Sequence, residues 1–561
     1  MATDALLSVR DLSIDFALRT HILHAVRGVS FDLRRGETMC LVGESGSGKS
    51  VTARALLRLV DRPGRITSGT IRLHDGIDIT GLTPGSRAMR EIRGRRIGLV
   101  FQEPMSSLSP VHTIGSQIAE SVRLHTRLDA RAARARVVEL LRHVEIADPE
   151  RMFDRYTFEF SGGMRQRAMI AMALAGEPEI LIADEPTTAL DVTTQAEILD
   201  LIKRLQAERG MAMLLITHDM GIVAEVADHV AVMRFGRIVE QGPVDRIFHG
   251  AEHPYTRRLL GATRKLEHTG VAPRPPSDPA PILSVRGLGK IFGGRRRLFG
   301  ERSVPFRAVS DASFDLYEGE SLGIVGESGS GKTTLGRMIL RIIEPSTGTI
   351  QYRDRDGEMI AVRGLGRMGR RAYHRDVRLV FQDPFASLNP RLTVKQIIGD
   401  PLFVAGIASG RALEKRVAEL LDLVGLDPLA MERYPHAFSG GQRQRIGIAR
   451  ALALDPRIII ADEATSALDV SIRSQILDLL IELQSRFGLS FLFIAHDISV
   501  VRYFCHRVAV MHRGRIVEIG DAARVCATPA EPYTRSLISA VPNPDPRAKR
   551  MLNRHRFTEA A

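Results

Sequence analysis

The sequence predicts an α/β fold in which two copies of one domain follow each other along the chain. One observation behind this prediction is length, because 561 residues are enough for two or more domains with buried cores. Another is an internal repeat of five segments. The third is local: in each half a short apolar run of strand length leads into a glycine-rich loop, and a helix-favouring segment follows.

Five segments of the first half recur in the second half in the same order. The pairs are GESGSGKS at 43–50 and GESGSGKT at 326–333, FQEPMSSLSP from 101 and FQDPFASLNP from 381, FSGGMRQR from 160 and FSGGQRQR from 438, IADEPTTALDV from 182 and IADEATSALDV from 460, and THD from 217 and AHD from 495. Paired residue numbers differ by 283 at the glycine-rich loop and by 278 from the third pair onward. Solenoid repeats span about 20 to 50 residues, so this longer period indicates duplication of a whole domain.

The repeat also sets the expected domain boundaries. We expect a first domain at 1–261, a proline-rich linker at 262–281, a second domain at 282–543 and a polar, mobile tail at 544–561. A basic stretch at 293–305 interrupts the start of the second domain and is interpreted as a solvated loop.

Composition excludes several classes of protein. The chain is 44% hydrophobic and 25% charged, which is typical of a globular protein, and its net charge of +13 favours anionic partners such as nucleotides, nucleic acid or acidic lipid. No apolar run approaches the roughly 20 residues of a transmembrane helix, and the first ten residues lack the pattern of a secretory signal. A cytoplasmic protein is therefore expected. The three cysteines are scattered, which argues against a disulfide framework, a zinc site or an iron-sulfur cluster.

The glycine-rich loops predict two phosphate-binding sites. Small residues between a strand and a helix let backbone amides face a phosphate beside the positive end of the helix dipole. Lys49 and Lys332 are expected to reach the β- and γ-phosphates, and Ser50 and Thr333 to hold Mg²⁺. The residues predicted to bind nucleotide here are Gly43, Glu44, Ser45, Gly46, Ser47, Gly48, Lys49, Ser50 and Val51 in the first half, and Gly326, Glu327, Ser328, Gly329, Ser330, Gly331, Lys332, Thr333 and Thr334 in the second.

Two further apolar runs in each half end in polar residues. Such runs are typical of buried strands in a parallel sheet, which deliver their last residues to the ligand crevice. Asp184 and Asp462 are therefore predicted to order the Mg²⁺ shell. The predicted catalytic residues are Glu185 and Glu463, which would polarise the attacking water, and His218 and His496, which would contact the γ-phosphate.

A second anion-binding turn is predicted in each half. Ser161, Gly162 and Gly163 precede a helix-favouring segment in the first half, and Ser439, Gly440 and Gly441 do so in the second. Each half then has two anion-binding turns but only one carboxylate pair. If both turns bound the same nucleotide, one turn would be redundant.

The order of these motifs resembles the ATP-binding cassette (ABC) ATPases, and the resemblance covers nearly the whole chain twice. It implies two P-loop NTPase domains of the ABC type in tandem, each with a RecA-like core and a helical signature subdomain. It also implies head-to-tail closure, so that the phosphate loop of one domain and the signature turn of the other clamp one ATP with Mg²⁺. One composite site would then combine the Lys49 loop with Ser439, and the other the Lys332 loop with Ser161.

Further residues follow from this resemblance. Gln102 and Gln382 match the glutamine that contacts Mg²⁺ and nucleotide in the family, while Phe16 and Phe292 match the aromatic residue that stacks on adenine. Packing in the core is the alternative interpretation of both phenylalanines. Phe160 and Phe438 stand where leucine is commoner, Met164 where glutamine is commoner, and Ala464 where proline follows the catalytic glutamate. None of these differences removes a proton acceptor, phosphate donor or metal ligand, so both sites are predicted to hydrolyse ATP.

The chain is most similar to one importer branch of the family. SLSP and SLNP segments follow the two glutamines, and both halves end with a PYT element, at 254–256 and 532–534. These features resemble the ATPases for oligopeptide, dipeptide, nickel and glutathione uptake. The resemblance implies a peripheral ATPase subunit at the cytoplasmic face of the inner membrane, two separate permease subunits and an extracytoplasmic solute-binding protein. It leaves the solute open.

Two alternatives belong to other classes of protein. One is a soluble duplicated cassette that remodels ribosomes or nucleic acid. The short proline-rich connector and the paired PYT endings argue against this class, so no nucleic-acid partner is expected. The other is a nucleotide-binding protein without turnover, which the two glutamates and two histidines disfavour.

Overall fold

The computed structural model describes residues 5–102, 107–188, 190–268, 280–293, 305–383, 385–466 and 468–557. It divides into two compact units, each described by itself. The first unit comprises Met1–Thr263 and Pro542–Arg554, and the second comprises Arg264–Val541 and His555–Ala561. Most of the predicted linker and of the basic loop at 293–305 lies outside the described residues.

The strands of both units follow the predicted repeat. In the first unit they are β1 Ala5–Ala17, β2 Ile22–Arg34, β3 Thr38–Val42, β4 Gly64–Leu73, β5 Ile97–Val100, β6 Ile180–Asp184, β7 Ala212–Thr217, β8 His229–Arg234 and β9 Arg237–Pro243. In the second unit they are β10 Leu283–Phe292, β11 Phe306–Leu316, β12 Ser321–Val325, β13 Thr347–Arg353, β14 Met359–Ala361, β15 Val377–Val380, β16 Ile458–Asp462, β17 Ser490–Ile494, β18 Arg507–His512 and β19 Arg515–Asp521.

The helices also recur between the repeats, except that α5 of the first half corresponds to a 3₁₀ turn at Pro428–Glu432 in the second. In the first half they are α1 Lys49–Leu56, α2 Arg87–Ile92, α3 Ile114–His125, α4 Ala130–His143, α5 Pro149–Met152, α6 Gly162–Ala173, α7 Val192–Arg209, α8 Met220–Val226, α9 Val244–Gly250 and α10 Pro254–Lys265. In the second half they are α11 Lys332–Ile339, α12 Arg367–Asp376, α13 Val394–Val404, α14 Gly410–Leu423, α15 Gly440–Leu452, α16 Val470–Phe487, α17 Ile498–Phe504, α18 Ala522–Ala527 and α19 Pro532–Ser539.

A six-stranded sheet forms the centre of each unit. Its order is β5-β6-β7-β3-β8-β9 in the first unit and β15-β16-β17-β12-β18-β19 in the second. All neighbours pair in parallel except the last hairpin, β8–β9 or β18–β19. Strands β3, β6 and β7 of the first unit are buried along their whole length, as their continuous apolar sequences predict. The prediction of two α/β domains is confirmed.

A second, antiparallel sheet packs on the core of each unit. It runs β2-β1-β4 in the first unit and β11-β10-β13-β14 in the second. Leu7, Val9 and Ile14 of β1 point into one apolar cluster with Leu41 of β3 and Leu56 of α1. The two sheets therefore hold the glycine-rich loop and its helix against a single core.

A helical group follows β5 and β15. In the first unit α3 packs against α4 and α6, and in the second α13 packs against α14 and α15. These contacts match the helical signature subdomain expected for each domain. Within the described residues, no helix combines the length and apolarity needed to cross a bilayer.

Residues 542–554 are packed, whereas a mobile tail was predicted from residue 544. Residues 542–554 belong to the first unit, where the buried Glu225 carboxylate of α8 accepts hydrogen bonds from the backbone amides of Asn543, Arg550 and Met551 at 2.9–3.1 Å. The Met551 side chain is fully buried. Backbone amides carry no sequence signal, which is why composition pointed to a free polar tail.

A side-chain ion pair reinforces this packing. The Arg547 guanidinium donates two hydrogen bonds to the Asp245 carboxylate, at 2.6 and 2.8 Å. The start of the second unit is held in a comparable way, since Lys265 pairs with Asp478 at 2.6 Å and Glu267 with Arg502 at 3.1 Å. The last residues of each repeat thus pack with the unit that contains most of the other repeat.

Replacing Glu225 tests the docking of the chain end. In Glu225→Gln, an amide group would face backbone N–H donors, which leaves at least one buried donor unpaired at a cost of about 1–3 kcal/mol. We expect a lower melting temperature and faster proteolytic removal of residues 542–561. Glu208→Gln is the control, because Glu208 is an exposed residue of α7. Equal melting temperatures and cleavage rates for the two variants would contradict this account.

Candidate nucleotide-binding sites

The glycine-rich loops have the backbone conformation that a phosphate cradle needs. In the first unit the loop joins β3 to α1, with Gly43 at φ 152° and Gly48 at φ 101°. A Cβ atom on Gly43 would lie 2.2 Å from the Met233 carbonyl oxygen, and one on Gly48 would lie 2.5 Å from that of Ala25. These positions need glycine both for their dihedral angles and for the close approach of backbone.

The loop lysine is buried and folded onto its own loop. Lys49 is 5% exposed, and its Nζ donates to the carbonyl oxygens of Gly43 at 2.7 Å and Glu44 at 2.9 Å. Lys332 makes the same contacts with Gly326 and Glu327, both at 2.7 Å. Each ammonium group therefore lies at the mouth of the cradle, where the phosphates of a nucleotide would bind.

A hydroxyl and a carboxylate meet at the start of each loop helix. Ser50 Oγ lies 3.0 Å from Asp184 Oδ1, and Thr333 Oγ1 lies 3.3 Å from Asp462 Oδ1. Burial and the adjacent glutamate charge raise the pKa of Asp184 and of Asp462 above its usual value. A divalent cation would offset that penalty, and hard oxygen donors are the ligands Mg²⁺ prefers. The residues present therefore fit the predicted metal.

Three side chains hold the Glu185 carboxylate. His218 Nδ1 lies 3.1 Å from Oε1, while Gln102 Nε2 and Thr188 Oγ1 donate to Oε2 at 3.0 and 2.8 Å. Burial acts to raise the pKa of Glu185, but hydrogen bonding and charge attraction from His218 and the Thr188 hydrogen bond outweigh it, and the pKa falls to about 2. The carboxylate is therefore ionised and its direction is fixed.

The second unit repeats the glutamine and histidine contacts, whereas Ser466, the counterpart of Thr188, donates to the backbone carbonyl oxygen of Glu463 at 3.0 Å. Gln382 Nε2 donates to Glu463 Oε2 at 2.7 Å, and His496 Nδ1 lies 3.3 Å from the same oxygen. The pKa of Glu463 is also lowered: burial opposes the shift, and the contact with His496, the charge of Lys332 and the Gln382 hydrogen bond outweigh it. Both units thus bring the predicted lysine, hydroxyl, carboxylate pair, glutamine and histidine to one edge of the sheet.

The signature turns start long helices. Ser161 caps α6 by accepting from the Met164 amide at 3.3 Å, and Ser439 caps α15 by accepting from the Gln442 amide at 3.4 Å. Gln442 also accepts from the Ser439 amide at 3.0 Å, a reciprocal bond that Met164 cannot make. Met164 stands where glutamine is commoner, so the helix cap of the first unit lacks this second hydrogen bond. The pairing of each turn with a phosphate loop of the other unit stays a prediction.

The two phenylalanines differ in their surroundings. Phe16 is half-buried against the core, and a Cβ atom on Gly64 would lie 2.7 Å from its ring. Phe292 is 39% exposed, and Lys290 Nζ lies 5.3 Å from its ring centroid. Stacking on adenine stays a prediction for both phenylalanines. Core packing already explains why the Phe16 ring is half-buried.

Sequence reasoning missed the tyrosines that support the phosphate loops. The Glu44 amide donates to the buried hydroxyl oxygen of Tyr255 at 3.0 Å, and the Glu327 amide donates to that of Tyr533 at 3.3 Å. Both tyrosines belong to the PYT elements that indicate the importer branch. Their recurrence at the end of both repeats was the signal for a role in the site itself. Thr188 was also missed, although it lies three residues after Glu185.

Comparison with known proteins gives matches to two families. The model of the ABC transporter family matches residues 26–188 and 309–466. A model described as the oligopeptide/dipeptide transporter C-terminal region matches residues 239–300 and 517–559. The first pair of matches covers the phosphate loops and carboxylate strands, and the second covers both PYT elements.

Curated relatives match over nearly the whole chain. The glutathione import ATP-binding protein GsiA of Pectobacterium atrosepticum is 49% identical over 96% of this chain and 90% of its own length. The protein of that name from Salmonella choleraesuis is 50% identical over 96% of this chain and 90% of its own. A solved dimeric bacterial ABC transporter cassette is 28% identical, covers 42% of this chain and 98% of its own, and has a TM-score of 0.39.

These findings confirm the recognition made from the motifs. Two complete sets of phosphate loop, carboxylate pair, glutamine and histidine lie in one polypeptide, and the ABC transporter matches cover the loop, the carboxylate pair and the glutamine of each set. The chain therefore belongs to the ATP-binding cassette transporter family, as an ATPase in which two cassettes are fused.

Proposed function

We propose that this chain is the ATPase subunit of an importer for glutathione or a related small peptide. The observation that carries the proposal is the 49% identity over 96% of the chain to glutathione import ATP-binding proteins. The C-terminal region of oligopeptide and dipeptide transporters, matched once in each repeat, supports the peptide class of solute. Two permease subunits and an extracytoplasmic binding protein complete this proposal, and the chain would lie on the cytoplasmic side of the inner membrane.

Each ATP would bind between a phosphate loop and the signature turn of the other unit. Lys49 and the loop amides would bind the phosphates from one side, and Ser439 and the start of α15 from the other. The second site would use Lys332 with Ser161. Every signature turn then has a nucleotide to bind, which accounts for two anion-binding turns beside one carboxylate pair in each repeat.

The residues of one site divide the chemistry between them. Mg²⁺ held by Ser50 and Asp184 would neutralise charge on the phosphates. Glu185 would accept a hydrogen bond from the attacking water, Gln102 and His218 keep its carboxylate directed at that water, and His218 can also contact the γ-phosphate. The two units would close on ATP and reopen after hydrolysis. This movement would be transmitted to the permeases through the surfaces beside Gln102 and Gln382.

Replacing each catalytic glutamate tests whether both sites turn over. Glu185→Gln and Glu463→Gln keep the side-chain shape but remove the proton acceptor, at a cost of about 10²–10⁴-fold at that site. We expect each single variant to lose at least about half of the steady-state ATPase rate and the double variant to lose nearly all of it. ATP binding should be unchanged in all three. A single variant with the wild-type rate would show that its site is silent.

A pair of double variants tests the composite sites. Ser161→Asp and Ser439→Asp keep a helix cap but place a carboxylate against the triphosphate. If the sites are composite, Glu185→Gln with Ser439→Asp damages one site, and the other still hydrolyses ATP. Glu185→Gln with Ser161→Asp damages both and should abolish activity. The opposite ranking of residual rates would show that each unit uses its own signature turn.

Solute uptake tests the transport class. A strain lacking this chain should lose uptake of labelled glutathione or of a labelled dipeptide, because the permease would have no ATPase. The wild-type chain should restore uptake, and the variant with both Glu185→Gln and Glu463→Gln should not. Normal uptake of both solutes in the deletion strain would remove them from the proposal.

A further inference from the structure

One peptide group of the first glycine-rich loop is held from both sides. It joins Gly43 to Glu44: its N–H donates to the hydroxyl oxygen of Tyr255 at 3.0 Å, and its carbonyl oxygen accepts from Lys49 Nζ at 2.7 Å. A peptide group is planar and nearly always trans, so its N–H and C=O point in opposite directions. The direction of the N–H therefore fixes the direction of the oxygen that holds the loop lysine.

The second loop is held in the same way. The N–H of the peptide group between Gly326 and Glu327 donates to the Tyr533 hydroxyl at 3.3 Å, and its carbonyl oxygen accepts from Lys332 Nζ at 2.7 Å. Gly326 has φ at 150°. Because glycine has no Cβ atom, its backbone tolerates the dihedral changes that a flipped peptide group would need. The tyrosine hydroxyl adds a restraint that the glycine does not supply.

Each tyrosine ring is fixed against the sheet that carries its loop. Tyr255 is 2% exposed and Tyr533 is 5% exposed. The guanidinium carbon of Arg234, the last residue of β8, lies 4.9 Å from the Tyr255 ring centroid, and the ring of His512, the last residue of β18, lies 4.0 Å from that of Tyr533. Strands β8 and β18 pair with β3 and β12, which lead into the glycine-rich loops. Each hydroxyl is thus held in place relative to its loop.

A carboxylate anchors the start of each helix that carries a tyrosine. Glu240 of β9 accepts from the backbone amides of Glu252 and His253 at 2.7 and 3.2 Å, and Glu518 of β19 accepts from those of the two residues before Pro532 at 2.9 and 3.2 Å. Burial acts to raise the pKa of both glutamates, but the hydrogen bonds outweigh it and the pKa falls. Charge-assisted hydrogen bonds therefore position the PYT elements independently of the loops.

We propose that Tyr255 and Tyr533 are positioning residues for ATP: by orienting one peptide group of the loop, each presets the loop lysine for the phosphates. This gives the PYT elements a role in the ATPase itself. The proposal rests on nucleotide binding at the loops, as in the proposed function, and is independent of the solute. Neither hydroxyl would contact a reacting atom, so its contribution goes to ATP binding and not to the chemical step.

Hydrogen–deuterium exchange of the full chain without nucleotide tests the restraint on each loop. Tyr255→Phe keeps the ring and removes the oxygen that accepts from the loop amide. We expect exchange in residues 43–50 to become about three- to tenfold faster, and exchange in residues 326–333 to stay as in the wild type. Tyr533→Phe should give the reverse pattern, so each variant is the control for the other.

The ATP dependence of turnover tests the positioning role. Each Tyr→Phe variant should raise KM for ATP by about three- to tenfold and leave kcat nearly unchanged, because bound ATP restores the loop conformation. Tyr503→Phe is the matched control, since Tyr503 is also buried and its hydroxyl donates to Asp478 at 2.6 Å. That variant should keep the wild-type KM. Direct titration with MgATP of chains that also carry Glu185→Gln and Glu463→Gln should show the same ranking of affinities.

A variant at the anchor extends the test without removing a tyrosine. Glu240→Gln weakens the hydrogen bonds at the start of α10 and leaves the Tyr255 hydroxyl in place. KM for ATP should rise, but by less than in Tyr255→Phe. Glu252→Gln is its control, because the Glu252 side chain is exposed and only its backbone amide contacts Glu240.

Two outcomes would overturn the positioning role. One is wild-type loop exchange together with wild-type KM in both Tyr→Phe variants. The other is a lower kcat at unchanged KM, which would show that the tyrosines only keep the protein folded. A wild-type chain that does not bind ATP would overturn the proposed function as well, whereas failure of the tyrosine variants alone would leave that function standing.

Discussion

The sites depend on two adjacent carboxylates that must face different partners. Consecutive side chains of an extended strand point to opposite faces of the sheet, so Asp184 and Glu185 could not serve one nucleotide if the strand simply continued. At Glu185 the backbone turns into the left-handed region, with φ at 47°, and Glu463 has the same value. Few non-glycine residues adopt this conformation, and it is strained. The turn lets Asp184 reach Ser50 while Glu185 reaches His218 and Gln102.

The parallel order of the central sheet supplies the remaining groups. Gln102 follows β5, Asp184 ends β6, His218 follows β7 and the glycine-rich loop follows β3, and these four strands are neighbours. Their carboxyl ends meet at one edge, so residues distant in the chain converge without long loops. The opposite pKa shifts follow from this placement. Asp184 is buried beside a like charge and its pKa rises, whereas Glu185 contacts a histidine and its pKa falls.

This geometry explains which features could be predicted from the sequence. The strand-end residues were found because a buried strand and its last polar residue leave a local pattern, and the duplication removed the risk of a chance match. The docking of residues 542–554 left no such pattern, and the recurrence of the PYT elements marked Tyr255 without showing what its hydroxyl contacts. In both cases a side chain contacts backbone amides of a distant segment, and any residue can supply an amide. The pairing of signature turns with phosphate loops depends on two units together, so the residues of one unit do not specify it.

The repeats agree where the nucleotide would bind and differ in charge elsewhere. In the groove between α12, β15, α13 and α15, the second unit holds Arg378 and Arg450, and neither has a carboxylate within ion-pair distance among the described residues. The first unit has Gly98 and Met172 at the matching positions. Burial disfavours the charge of both arginines, and repulsion from Arg378 adds to this at Arg450, yet arginine stays protonated in proteins. The two units therefore differ in electrostatics at this groove, although the groups that would bind the nucleotide are the same.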